Sequence, residues 1–530
     1  MVCAYARTLS LIIDGFPKVT KLLNQPQNLI SYHLQKLLTI ALVNERRSIV
    51  GRLRRLTILS VETTHHSIYN RIILRWIKPM NRSFNRGLVL MILLAMLGFT
   101  TPAMAQAHTY YVSPGGSDTN DGSSAHPWLT IQHGADQLSP GDTLMINPGT
   151  YQEGGIIVTN GGTAANPVTF QANGAGVIIA GSGKVGTTHQ DAFLITYANY
   201  VVVAGITFQN SNRAGVRIDH SDHVTVRNCI FANNYTWGLF TDFSDYTTVQ
   251  DSTSYGAVDQ HGIYISNSSD YPTIRHNILY HNADCGLHMN GDISMGGDGV
   301  ISYGLVEDNI IYDNGAKGGS GINMDGVTDT IVRNNLLYDN HASGISMYQI
   351  DGGSGSKRNK IYNNTIIMPS DGRWDINIPE PDDSLPAYGN TDNQIYNNIL
   401  YNNHPWRGVI TIGPSDLIGF NSDYNVVMDR FSDDGNDTPI TLAKWQANGF
   451  DYHSLIATPG QLFINPAQND YHLLPTSPAV DVGKYLSDVP DDLDGNPRPS
   501  GFGYDIGAYE YQAPLLNLPD KIYFPNILIP

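Results

Sequence analysis

The sequence predicts an all-β solenoid, a single parallel β-helix of about 10–12 coils closed by a cap at each end. Three observations lead there. Of 530 residues only 15% are charged while 52 are Gly, and few stretches show the 3.6-residue period of helices, which excludes a helical bundle. A set of apolar anchors recurs: Val203, Val226, Val249, Ile274, Val306, Val332, Ile361 and Ile395, spaced 23, 23, 25, 32, 26, 29 and 34 residues apart. Asn keeps register with them. It stands three residues past the anchor at Asn277, Asn309, Asn335, Asn364 and Asn398, and eight past it at Asn234, Asn282, Asn314, Asn340 and Asn403.

A coil of roughly 23 residues made of short parallel strands stacks on its neighbour at about 4.8 Å, so equivalent side chains form columns. Val and Ile columns point inward, each burial contributing about 1.5–3 kcal/mol. Asn tolerates the tight corners and can hydrogen-bond its copies above and below. With these columns, the segments ITFQN, CIFANN, NILYHN, NIIYDN, NLLYDN, NTIIM and NILYNN resemble the right-handed parallel β-helix of the pectate-lyase-like superfamily, from residue 109 to about 425. The opening run Tyr110–Asp118, Pro127–Gln132, Pro140–Leu144 and Pro148–Tyr151 resembles the entry coil of secreted β-helix polysaccharide lyases. An open solenoid end needs a cap, and a short helix near Ile131 to Gln137 is expected there. At the other end, Asp494–Pro499 and Asp505–Tyr511 resemble the closing motif of bacterial surface proteins with variable anchors.

Charge divides the chain. Residues 1–105 hold 14 Lys+Arg against 3 Asp+Glu, and residues 106–530 hold 17 against 45, or −28. The acidic body argues against a nucleic-acid partner. Asn81-Arg82-Ser83-Phe84-Asn85-Arg86, an apolar run from Leu88 to Phe99 and Ala103-Met104-Ala105 read as a secretory signal peptide over 80–105, too short to stay as a membrane span. The mature protein is expected outside the cytoplasm, secreted or at the cell surface, as a monomer. Residues 1–79 are expected to be an extension foreign to that protein. Leu22 to Arg55 resembles the recognition-helix region of ArsR-type winged-helix repressors, without the helices that complete such a core. The remaining divisions are an entry cap with first coils (106–198), central repeats (199–425), final coils with a cap (426–513) and a tail (514–530). Cys229 and Cys285 occupy different repeat positions, so no disulfide framework is expected.

One strand of each coil is led by Gly: Gly215, Gly238, Gly262, Gly286, Gly321, Gly344 and Gly408. Alternation then turns the residues two and four past Gly outward. The first outward column reads Arg217, Phe240, Tyr264, His288, Asn323 and Ser346; the second reads Asp219, Asp242, Ser266, Asn290, Asp325 and Tyr348. Aromatics, His, Asn and Asp with almost no Lys or Glu suit sugar recognition. Insertions at Asp292–Val300, Asp351–Lys357 and Pro379–Gly389 all follow this strand and should wall a groove. Within it, Tyr255-Gly256-Ala257-Val258-Asp259-Gln260-His261 resembles the catalytic segment of mannuronan C-5 epimerases. That resemblance implies roles for Asp259, His261 and Tyr255; the family's second Asp falls on Asn290 here.

The expected catalytic residues are therefore Asp259, His261, Tyr264 and His288. Arg217, Phe240, Asp242, Tyr255, Asn290, Asn323, Asp325 and Tyr348 are expected to bind substrate. His261 would take the proton beside a uronate carboxyl, with Tyr264 or Tyr255 donating to the leaving oxygen. A −28 body needs either a basic patch from Arg213, Arg217 and Lys317 or a bridging Ca²⁺ to accept a polyuronate. Asp292 with Asp298, or Asp219 with Asp242, could hold such an ion. The Asp219–Asp242 spacing of about 4.8 Å also approaches a retaining glycosidase pair. The sequence thus points to a secreted protein acting on extracellular polysaccharide by uronate β-elimination or epimerisation. A non-catalytic adhesion protein and a glycoside hydrolase are the alternatives.

Overall fold

The computed structural model describes residues 107–181, 191–380 and 389–513. The extension, the signal segment and the C-terminal tail read from the sequence lie outside these residues. Each central coil runs through three short strands, as in Val201–Ala204, Thr207–Gln209 and Ala214–Asp219. Stacking them gives three long parallel sheets of 12, 12 and 11 strands. The anchors form one column: Val203, Val226, Val249, Ile274, Val306, Val332, Ile361 and Ile395 are register partners in succession and fully buried. Among the described residues no helix is long and apolar enough to cross a membrane.

The Asn ladder is the corner device. Asn277, Asn309, Asn335, Asn364 and Asn398 each donate through Nδ2 to the Oδ1 of the next rung, at 2.9–3.2 Å, ending on Asn425. Each Oδ1 also accepts the backbone N–H of the rung before it, as Asn309 does from Asn277 at 2.9 Å. Asn309, for one, also donates to the Ile274 carbonyl, so both its amide oxygen and its amide nitrogen are paired in a dry corner, and each bond contributes about 1 kcal/mol net. The residue before each rung turns the chain through the left-handed region, where Asn and Asp are tolerated: His276, Asp308, Asn334, Asn363 and Asn397 have φ of 50–58°. The second ladder joins Asn282, Asn314 and Asn340. It stops there because Pro369 occupies the next rung, and Asn403 is exposed.

At the entry end the helix Ile131–Gln137 buries Ile131 and Ala135, and Thr130 caps it by accepting the His133 N–H. At the far end the helix Leu442–Ala447 plugs the core with fully buried Trp445, stacked on Phe431. Residues 484–511 do not continue the stack. They lie along its flank, where Asn334, Asn363 and Asn397 donate to the backbone of Asp491, Asp505 and Lys484. The Asp494–Pro499 motif serves that attachment: buried Arg498 pairs with Glu510 at 2.6 Å and donates to the Gly507 carbonyl. Cys229 and Cys285 are free thiols.

Asp308 shows a cost of this corner. Burial, followed by the neighbouring Glu307 carboxylate, pushes its carboxyl from the ordinary 3.8 up to about 7, and Arg333 only partly offsets this. A folded pKa above the unfolded one means stability fully present below 3.8 and lost as pH rises through about 7. Asp308→Asn should remove that fall, raising stability at pH 8 by on the order of a few kcal/mol. Denaturant titrations of both proteins across this window check it; parallel pH profiles would contradict the assignment.

Candidate functional site

The glycines that lead the third strand are required by close coil contact. A Cβ on Gly262 would stand 2.7 Å from Asn282 Nδ2 and 2.8 Å from the Gly286 carbonyl. The strands proper begin one residue later, at Ile263 and Leu287, and alternation holds from there. Ile263, Ile265, Leu287, Met289, Ile322, Met324, Ile345 and Met347 are all fully buried inside. Tyr264, His288, Asn323 and Ser346 are register partners along the outer face. The lead column itself continues through Asp375 and Val409, one residue away from the expected Gly408.

His261 and Cys285, each just before a glycine, lie outside the strands Ile263–Ser266 and Leu287–Asn290, so alternation does not fix their side. This places His261 beside the outward Tyr264 and His288. His261 Nε2 and His288 Nδ1 are 3.0 Å apart. The Tyr264 ring stacks on His288, with centroids 4.9 Å apart and planes 14° from parallel, and meets His261 edge-on. The Cys285 backbone N–H donates to His261 Nδ1 at 3.3 Å. The Asp284 carboxylate stands 3.7 Å from the same nitrogen. Asn290 donates to the Tyr264 hydroxyl at 3.1 Å and reaches Asp351 at 3.4 Å.

Burial governs the electrostatics. It pushes His261 well below its ordinary value, with His288 adding to the effect, and it takes His288 down to about 3. Both imidazoles are neutral. Burial also raises the Tyr264 phenol, the Asp284 carboxyl and the Cys285 thiol, so Tyr264 and Cys285 keep their protons at neutral pH. A neutral imidazole has one N–H, so the chain of nitrogens has two states. With the Cys285 N–H donating to Nδ1, His261 carries Nε2–H, donates it to His288 Nδ1, and leaves His288 with Nε2–H. With His261 Nδ1–H turned to Asp284 instead, His288 Nδ1–H donates to His261 and His288 Nε2 keeps its lone pair. One state is an acid at His288 Nε2 and the other is a base.

Beyond His288 the face opens into a groove of about 510 Å³ lined by Ser320, Asn323, Ser346, Tyr348, Arg373 and Asn377, among others. Pro379 and Glu380, at the start of the third insertion, line it, and the first two insertions lean on one another: Ile293 N donates to the Asp351 carbonyl and Gly353 N to the Gly299 carbonyl. The structure thus brings together His261, Tyr264, His288 and Asn290, with Asn323 and Tyr348 along the same groove. Sequence reasoning missed Asp284, Cys285, Ser320 and Arg373. Position relative to the glycine was the available signal for the first three.

Several expectations fail, each for a local reason. Tyr255 belongs to a different sheet, stacked on Tyr280 in a ring column that continues to Tyr312 and Tyr338. Asp259 pairs with Lys317 at 2.9 Å on the surface rather than with an imidazole. The second column is mostly covered, because the loops fold back over it. Asp325 is buried and accepts the backbone N–H groups of Ile350, Asp351 and Gly352. Asn290 and Asp242 are also buried. Arg217 donates to Asp242 at 2.6 Å, stands 3.7 Å from Asp219 and lies over the buried Phe240 ring. With Arg213 tied to Asp191, the expected basic patch is neutralised residue by residue. Arg217 between Asp219 and Asp242 also leaves that pair without free carboxylates for an ion or a glycosidase mechanism. Asp292 and Asp298 each accept their own loop's backbone, from Ser294 and Val300.

Known proteins agree with this architecture. Residues 110–373 match the family model described as the Pel9A-like right handed beta helix region. The crystal structure of pectate lyase Pel9A superposes with a TM-score of 0.55 at 16% identity, covering 77% of this chain and 97% of that one. Pectate lyase PEL9 of Emericella nidulans is 40% identical over 88 residues, 16% of this chain and 21% of its own. The uncharacterized protein YwoF of Bacillus subtilis is 31% identical over 102 residues, 19% of this chain and 22% of its own. The chain thus spans about a fifth of the length of these curated relatives. Sheets, register and comparisons together make this chain a right-handed parallel β-helix of the pectate-lyase-like fold, with a Pel9A-like region over residues 110–373.

Proposed function

We propose that the groove binds a uronate-containing extracellular polysaccharide and acts at the carbon beside its carboxylate, by β-elimination or C-5 epimerisation. The observation that carries this reading is the neutral His261–His288 pair under the Tyr264 ring at the end of the groove. His288 is the less buried imidazole as a residue and is the base; its Nε2, buried in this structure, accepts the proton once substrate binding uncovers it, in the state where His261 Nδ1–H faces Asp284. His261 and Asp284 are positioning residues: they decide which nitrogen of His288 carries a lone pair. Tyr264 stays protonated and accepts from Asn290, so its own O–H is left to donate to the leaving glycosidic oxygen. The segment similarity to PEL9, named a pectate lyase, supports the same substrate class.

Arg373 supplies the charge this reading needs. It lines the groove together with Glu380, and no carboxylate pairs with its guanidinium among the described residues, unlike Arg213, Arg217 and Lys317. A fork of N–H donors suits a uronate carboxylate.

Two sets of variants test the site. His288→Ala and Asp284→Asn should each lower turnover of a uronate polymer, the first by about 10²–10⁴-fold, while binding in affinity electrophoresis persists. Full turnover in His288→Ala would remove the imidazole from the chemistry. Arg373→Gln should raise KM for the anionic polymer about ten-fold or more with kcat little changed, and flatten the dependence of KM on salt. Unchanged KM and salt dependence would remove Arg373 from substrate recognition.

A further inference from the structure

Three donors at the end of the groove have a use beyond acid–base work. One nitrogen each from His261 and His288 and the Cys285 Sγ all lie within 4.8 Å of one another. His261 and Cys285 are buried, and the two facing imidazole nitrogens are already 3.0 Å apart. Tetrahedral Zn²⁺ with Zn–N near 2.0–2.1 Å holds two nitrogens about 3.3 Å apart. Within the cluster the Cys285 thiol reaches the Asp284 carboxylate at 3.8 Å, a contact that a Zn–S bond would replace. The Asp284 carboxylate, 3.7 Å from His261 Nδ1, stands where a ligating imidazole usually donates its other N–H.

We infer that His261, Cys285 and His288 form a Zn²⁺ site with the fourth position left to water or substrate. The donor set is nitrogen and sulfur, which selects a borderline-soft ion and rejects Ca²⁺, whose ligands are oxygen. Binding replaces the proton of the Cys285 thiol with a Zn–S bond, so one proton leaves for each ion taken up. Through His261 Nε2 and His288 Nδ1, the ion displaces the hydrogen bond between the two rings. The metal-loaded site therefore cannot also run the two-state proton chain described above. That consequence rests on the proposed function; the binding itself does not.

Metal binding to the full chain decides the matter without any activity assay. Equilibrium dialysis against Zn²⁺ should load one ion per chain. Co²⁺ in its place should give a thiolate-to-metal charge-transfer band. Cys285→Ser should abolish the band and weaken Zn²⁺ uptake about ten-fold or more, and His288→Gln should weaken it likewise. His341→Gln, in the exposed His281–Asp313–His341 cluster, should leave uptake unchanged. Absence of a thiolate band in the wild-type Co²⁺ protein would overturn the inference whether or not the variants fold. Zn²⁺ uptake that survives Cys285→Ser would overturn it as well. A positive result beside inactivity of the metal-free protein on every uronate would leave the metal site standing and the proposed function fallen.

Discussion

Everything in this molecule depends on coils stacking in register, like residue over like. A parallel ladder fixes the height of each coil at about 4.8 Å, and that spacing converts a sequence period into columns of identical contacts. The Val and Ile column fills the core, the Asn column satisfies the corners, and the glycine column lets neighbouring backbones approach. Variation is confined to what projects from the stack. Spacings of 23 residues become 32 or 34 by inserting loops after a strand while the columns stay in line.

The site follows from the same constraint. Rungs at fixed spacing put His261 and His288 within hydrogen-bond reach from adjacent coils, where burial keeps their surroundings dry. Dryness keeps the imidazoles neutral, each with one N–H, and a single proton bridges the two rings. The direction of that proton is set by two local partners, the Cys285 backbone N–H and the Asp284 carboxylate. The acidic exterior is handled separately. Arg213, Arg217 and Lys317 are each matched to a carboxylate, whereas Arg373 stands without such a partner among the described residues where an anion would enter.

The fold was legible from sequence because columns are a sequence property. The anchors, the first Asn ladder and the helix at Ile131–Gln137 all stand where the pattern puts them. The ladder fails at Asn403 because one Pro369 breaks a column that counting alone extends. The site was less legible. Alternation places Tyr264 and His288 correctly, since they lie within strands. Cys285 precedes its strand, so period-two reasoning says nothing of its side. Asp325 and Asn290 alternate outward as expected yet are buried, because covering by a distant loop is a tertiary event. Segment resemblance points to Asp259 and Tyr255, and one ion pair and one ring stack take them elsewhere.

The central claim is that this groove acts at the carbon beside a uronate carboxylate. The most direct measurement treats alginate, pectate, glycosaminoglycans and neutral glycans with the purified protein, in Ca²⁺ and then in EDTA. Ultraviolet absorbance follows the unsaturated uronate, and NMR of the same sugars follows inversion at C-5. The account predicts one of these two signals on at least one uronate polymer and neither on the neutral glycans. Neither signal on any uronate, or cleavage of a neutral glycan by hydrolysis, would contradict it.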